Sequence, residues 1–172
     1  MIRSLLLAAA LVLPACGGGG ARGGADEPSG ATAPDFTGRT LDGRPFKLSD
    51  HFGKNVVLIS FWATWCRPCM IELPHFSGFY EELKPRGLEI VAISMDDSAS
   101  ESQVRPTVER LGLPFPVVVD RDTRIQGLYN PRRAAPMTVL VDRTGNVAWK
   151  HEGFVEGDQE EVERRVRDLV GR

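Results

Sequence analysis

The sequence predicts an α/β domain built on a mixed central sheet with helices on both faces, and three observations lead there. First, Val56 to Ala63 (VVLISFWA) is a continuous apolar run, as in a strand buried on both faces, and Glu89 to Ser94 (EIVAIS) reads as a second buried strand. Second, the segment between them, Met70 to Lys84, has helical character and stops at Gly87, so the two strands read as a parallel crossover pair. Third, Met137 to Asp142 (MTVLVD) and Val147 to His151 flank Arg143-Thr144-Gly145-Asn146, a connection of hairpin length, which adds antiparallel strands. A β-α-β-α-β half followed by a β-β-α half gives the mixed sheet.

Taken in order, the chain begins with Met1-Ile2-Arg3 and an apolar stretch from Leu5 to Leu13, too short to span a bilayer, so residues 1–15 read as a signal peptide. From Gly17 to about Ala33 the chain is Gly, Ala, Pro, Ser and acidic residues with no periodic apolar face, the composition of a flexible tether with a reach of about 20–25 Å. The folded domain is expected over residues 34–172. Within it, Phe46-Lys47-Leu48 reads as a short strand, Val104, Val108 and Leu111 mark a helix at i, i+4, i+7, and Val117 to Asp120 is a further strand. The last helix carries Val162, Val166, Leu169 and Val170 on one face, with Asp158 as its expected cap and Glu161 completing a capping box.

A chain of 172 residues can bury one sizeable core, and a formal charge of −2 with no single-sign block excludes the electrostatic footprint of a nucleic-acid binder. The chemistry is concentrated in SFWATWCRPCMIELP, Ser60 to Pro74, where a buried strand runs into two cysteines separated by Arg67 and Pro68. Such a pair can hold a metal, form an inert bridge, or cycle between dithiol and disulfide. Cys66 is expected at the end of the strand and the start of a helix, where unpaired N–H groups and the helix dipole favour a thiolate and Arg67 adds positive charge. Cys69, one turn on, is expected within reach, more buried and with the higher pKa. Trp62 reads as core and Trp65 as a flank of the substrate path. His51, His75 and His151 have no metal-ligand spacing to one another and read as surface residues.

Several separated motifs carry a resemblance to the thioredoxin superfamily, and within it to the TlpA/ResA-like envelope thiol-disulfide oxidoreductases. They are FWATWCRPC (Phe61 to Cys69), Pro74, GLEIVAISMD (Gly87 to Asp96), FPVVVD (Phe115 to Asp120) and APMTVLVDRTGNV (Ala135 to Val147), spread over about Pro34 to Val170. The resemblance implies a thioredoxin-like fold with the strand-helix segment Glu89 to Leu111 as the family's insertion. It implies that Cys66 and Cys69 are the redox pair, that the Ala135–Pro136 bond is cis beside them and binds substrate backbone, and that Glu72 exchanges a proton with the pair. Ser60 stands where thioredoxin has a buried aspartate. Leu13-Pro14-Ala15-Cys16 resembles a lipobox, which implies lipidation at Cys16 and a domain anchored to a membrane at the cell envelope.

By the same resemblance the protein needs no cofactor, acts as a monomer on protein thiols and disulfides, and receives electrons from a membrane thiol-transfer donor. The implied task is reductive, in cytochrome c or copper-site maturation. Tyr129 to Ala135 is one residue longer than the family loop, and Met137 replaces its usual threonine, which leaves substrate preference open; Arg132 and Arg133, just before the loop expected to face Cys66, read either as a solvated loop or as a rim that attracts acidic substrate flanks. Two other readings use the same cysteines: a peroxiredoxin-like peroxidase, whose P-x-x-x-T/S-x-x-C context is not found before Cys66, and a copper-binding assembly protein.

Overall fold

A computed structural model describes residues 30–171. The expected signal peptide and Cys16 lie outside the described residues, as does most of the tether. A hairpin of β1 (Thr37–Arg39) and β2 (Pro45–Lys47) precedes the central sheet. The sheet itself comprises β3 (Val56–Trp62), β4 (Leu88–Ser94), β5 (Val117–Val119), β6 (Met137–Val141) and β7 (Val147–Glu152), in the order β5-β4-β3-β6-β7. β3 runs parallel to β4 and antiparallel to β6, so the sheet is mixed as the pattern predicts.

Each of the seven residues of β3 is buried, and successive residues serve opposite faces. Val56, Leu58 and Trp62 join the cluster under α1 (Cys69–Leu83), α2 (Val104–Leu111) and α4 (Asp158–Val170). Val57, Ile59 and Phe61 join the other cluster, closed by the β1–β2 hairpin through Phe36 and Phe46 and by α3 (Arg124–Tyr129) through Ile125 and Tyr129. A strand with no solvent face has no polar alternation, which is why its sequence reads as one apolar run. The segment Glu89 to Leu111 supplies β4, interior to the sheet, and α2, on the same face as α1.

Four local expectations are corrected. The helix after β3 begins at Cys69, so Cys66 sits in the turn before it. α4 is capped by Gly157 at φ 98° with no side-chain cap; the Asp158 carboxylate accepts from Val155 N–H and pairs with His151 Nε2 at 2.9 Å, while Glu161 turns to Arg164 and Arg165, so no capping box forms. β1 and α3 were not expected; α3 is six residues long and is started from outside itself, by the Asp120 carboxylate accepting from Ile125 N–H (3.1 Å) and Gln126 N–H (2.7 Å). The three histidines are half-buried and partnered rather than free on the surface: His51 with Asn55, His75 with Glu163 and His151 with Asp158.

The chain enters the domain along the β6–β7 hairpin. Ala33 N–H donates to the Gly145 carbonyl and Val147 N–H to the Ala31 carbonyl, both at 2.8 Å.

Candidate active site

The site is assembled where β3 ends. Cys66 N–H donates to the Ala63 carbonyl at 3.0 Å, closing a turn Ala63-Thr64-Trp65-Cys66 that carries the chain off the strand. Trp65, inside this turn, is 62 % exposed, whereas Trp62 is wholly buried. Cys66 and Cys69 form a disulfide with Cα atoms 5.4 Å apart. Cys66 is 4 % exposed and Cys69 fully buried, so the expected order of accessibility is present but both are sheltered in the disulfide form. Cys69 N–H points at Cys66 Sγ at 3.3 Å. That N–H belongs to the first turn of α1, so on reduction the positive end of the helix and one donor stand ready to hold a Cys66 thiolate.

Glu72 follows one turn along α1 and is 1 % exposed, with Oε2 lacking a partner among the described residues. Burial, and secondarily the negative charge of Asp158, push its carboxyl up to about 8. Ser60 is buried in β3 and, having only a hydroxyl, adds no second titratable group. On the other side, antiparallel pairing of β3 and β6 sets Phe61 opposite Met137, which brings the loop before β6 beside the residues that follow Phe61. The Ala135–Pro136 bond in that loop is cis. The Pro136 carbonyl is occupied by Gly153 N–H at 2.8 Å, so among these two residues it is Ala135 whose backbone can serve a bound chain. Asn130, wholly buried, braces the loop by donating to the Ala134 carbonyl (2.8 Å) and accepting from Ala134 N–H (2.9 Å).

One residue of the site carries no expectation from the sequence. Asp96, 2 % exposed at the end of β4, accepts from Thr64 N–H (3.0 Å to Oδ2), from Thr64 Oγ1 (2.5 Å) and from Ser94 Oγ (2.9 Å). It thereby ties the turn that presents Cys66 to the neighbouring strand. The one available signal was an acid closing an apolar strand. Asp96→Ala leaves these donors unpaired and is expected to cost about 3 kcal/mol of stability, measured by denaturant unfolding of the oxidised protein; a loss under about 1 kcal/mol would show that Thr64 holds the turn without it.

The site thus sets a sheltered sulfur in the turn before a helix, with a buried acid and a cis-proline loop around it. Residues 29–150 match the AhpC/TSA family. The chain belongs to the AhpC/TSA family. A thiol-disulfide oxidoreductase ResA of Geobacillus kaustophilus is 37 % identical over 140 residues, 81 % of this chain and 77 % of that protein. Among solved structures, a putative thiol:disulfide interchange protein DsbE from Chlorobium tepidum superposes with a TM-score of 0.75 at 30 % identity, covering 86 % of this chain and all of that one. The exposed lipoprotein thioredoxin Etrx1 of Streptococcus pneumoniae gives a TM-score of 0.66 at 25 % identity, covering 79 % of this chain and 100 % of that one. Within the AhpC/TSA family this member is a thioredoxin-fold, ResA-like thiol-disulfide oxidoreductase, with Cys66 and Cys69 at the two-residue spacing of a redox pair. Among the described residues no group of three or more His, Cys, Asp or Glu side chains could hold a metal ion.

Proposed function

We propose that this oxidoreductase works as a reductant of protein disulfides at the cell envelope, tethered to a membrane through Cys16 by the segment that precedes the domain. The asymmetry of the pair carries the reading: Cys66 is the outer sulfur and has the helix N–H, while Cys69 is the inner sulfur with a buried carboxyl one turn away. The Cys66 thiolate attacks one sulfur of a substrate disulfide and expels the other as a thiolate. Cys69 then gives its proton to Glu72 in its ionised form, a minor fraction at neutral pH that grows as pH approaches 8, and attacks Cys66 Sγ, releasing the second substrate thiolate. The substrate gains two electrons and Cys66–Cys69 is left oxidised. Trp65 flanks the incoming chain, and the backbone of Ala135 holds it by strand-like hydrogen bonds beside Pro136.

A membrane thiol-transfer donor would return the dithiol, and the similarity to ResA and DsbE proteins makes disulfides formed during cytochrome c or copper-site maturation the substrates to try first. Membrane attachment is supported by the lipobox-like Leu13-Pro14-Ala15-Cys16 and by the likeness to a lipoprotein thioredoxin. The test of the thiol assignment is alkylation of the reduced protein at mildly acidic pH. Cys66 should be modified well before Cys69, and faster labelling of Cys69 would reverse the roles.

A further inference from the structure

The cations around the disulfide are not all available to a partner. Arg132 pairs with Glu152 at 2.8 Å, which takes it out of the pair of arginines expected to face substrate. Elsewhere guanidinium groups are held by carboxylates or carbonyls: Arg121 by Glu101, Arg167 by Glu82 and Glu163, and Arg143 by four backbone carbonyls. Arg67 and Arg133 are exposed and have no such partner among the described residues. Both belong to the site. Arg67 lies between the two cysteines, and Arg133 lies two residues before Ala135, in the loop that the β3–β6 register brings beside the residues after Phe61.

Two further features make this pairing of positions notable. Arg133 has φ 56°, a left-handed conformation that non-glycine residues other than Asn, Asp and His seldom adopt. Its N–H donates to the Asn130 carbonyl at 2.9 Å, and the Asn130 side chain braces Ala134, so the loop fixes where Arg133 stands. Three acids of the surrounding elements are engaged elsewhere: Glu152 by Arg132, Asp96 by Thr64 and Ser94, and Asp158 by His151 and the Val155 N–H. Glu72, titrating at about 8, adds little negative charge at neutral pH.

We propose that Arg67 and Arg133 form a cationic rim that selects disulfides flanked by aspartate or glutamate in an extended partner segment. This rests on the reductant reading. The two charges act on encounter and orientation, since exposed charges steer association more than they add affinity, and salt screens them. Arg67 also follows Cys66 directly in the chain, so its removal alters the rate on every substrate; the ratio between substrates isolates recognition.

The test uses three disulfide peptides that differ only in having Asp, Ser or Lys beside the cysteine, reduced by the dithiol form of the wild type and of Arg67→Gln, Arg133→Asn and the double variant. Asparagine keeps the left-handed backbone at residue 133 accessible. In the wild type the Asp peptide should react roughly tenfold faster than the Ser peptide at low salt, and the Lys peptide slower than both. The ratio should fall to about one in the double variant, and also in the wild type near 1 M salt, where the Debye length is about 3 Å. A ratio unchanged in the double variant, or insensitive to salt, overturns the rim while leaving the reductant reading intact. Failure of the wild-type dithiol to reduce any of the three overturns the reductant reading, and the rim with it.

Discussion

Glu72→Gln is expected to stabilise the oxidised protein at pH 8 by about 4 kcal/mol and to leave it nearly unchanged near pH 4. The wild-type carboxyl titrates at about 8 in the folded protein, raised by burial first and by Asp158 second, against 4.5 when solvated. Between those two values the folded state keeps a proton that the unfolded state has released. Stability therefore falls as pH rises through this window, at about 1.4 kcal/mol per pH unit, and levels off once the folded carboxyl has ionised. Glutamine has the shape of the protonated acid and nothing to titrate, so the variant escapes the loss. Urea unfolding from pH 4 to 9, with the disulfide intact so that no thiol titrates, reads the difference directly. Parallel wild-type and variant curves would mean that Glu72 is solvated and unfit for the proton step. In the reduced enzyme the same variant should slow resolution by Cys69 while sparing the initial attack.

Single cysteine replacements should have unequal consequences. Cys66→Ser removes the attacking sulfur and is expected to abolish exchange, a loss of roughly a thousandfold or more. Cys69→Ser keeps the attack and removes the resolving step, so it should accumulate a mixed disulfide at Cys66 with whatever protein it engages. Peptide mass spectrometry locates the bond. Equal trapping by the two variants, or trapping at Cys69 in Cys66→Ser, would contradict the roles assigned from burial and from the Cys69 N–H.

What could be read from the sequence follows how local its cause is. β3 and β4 were legible because a strand covered on both faces carries apolar residues on both, with only Ser60 breaking β3 and Glu89 and Ser94 near the ends of β4. The cysteine pair was legible because its spacing and its place after an apolar run are both local. α3 was not: six residues including Gly127 carry no usable period, and its start depends on the side chain of Asp120. The cap of α4 was misread because Asp158, well spaced for capping, is claimed by His151 across the connection from β7. Asp96 escaped notice because Thr64, its partner, is 32 residues away. Arg132, expected to face substrate beside Arg133, is taken by Glu152, 20 residues away, a partner that cannot be seen before β7 is placed. Burial and short-range order are written in composition and spacing, whereas long-range partnerships are decided by the packing.

The way the chain enters the domain has a bearing on how it can be mounted. Ala31 and Ala33 are bonded to the hairpin at the finishing end of β6, while Pro136 and the cysteines gather at the end where β6 begins. The length of that strand, five residues or about 17 Å, separates the two. Gly30, where the described residues begin, thus stands near the end of the sheet opposite the cysteines. A partner that reaches Cys66 therefore approaches the domain from the side opposite the point where Ala31 and Ala33 are fastened, and anything bound at one end leaves the other open.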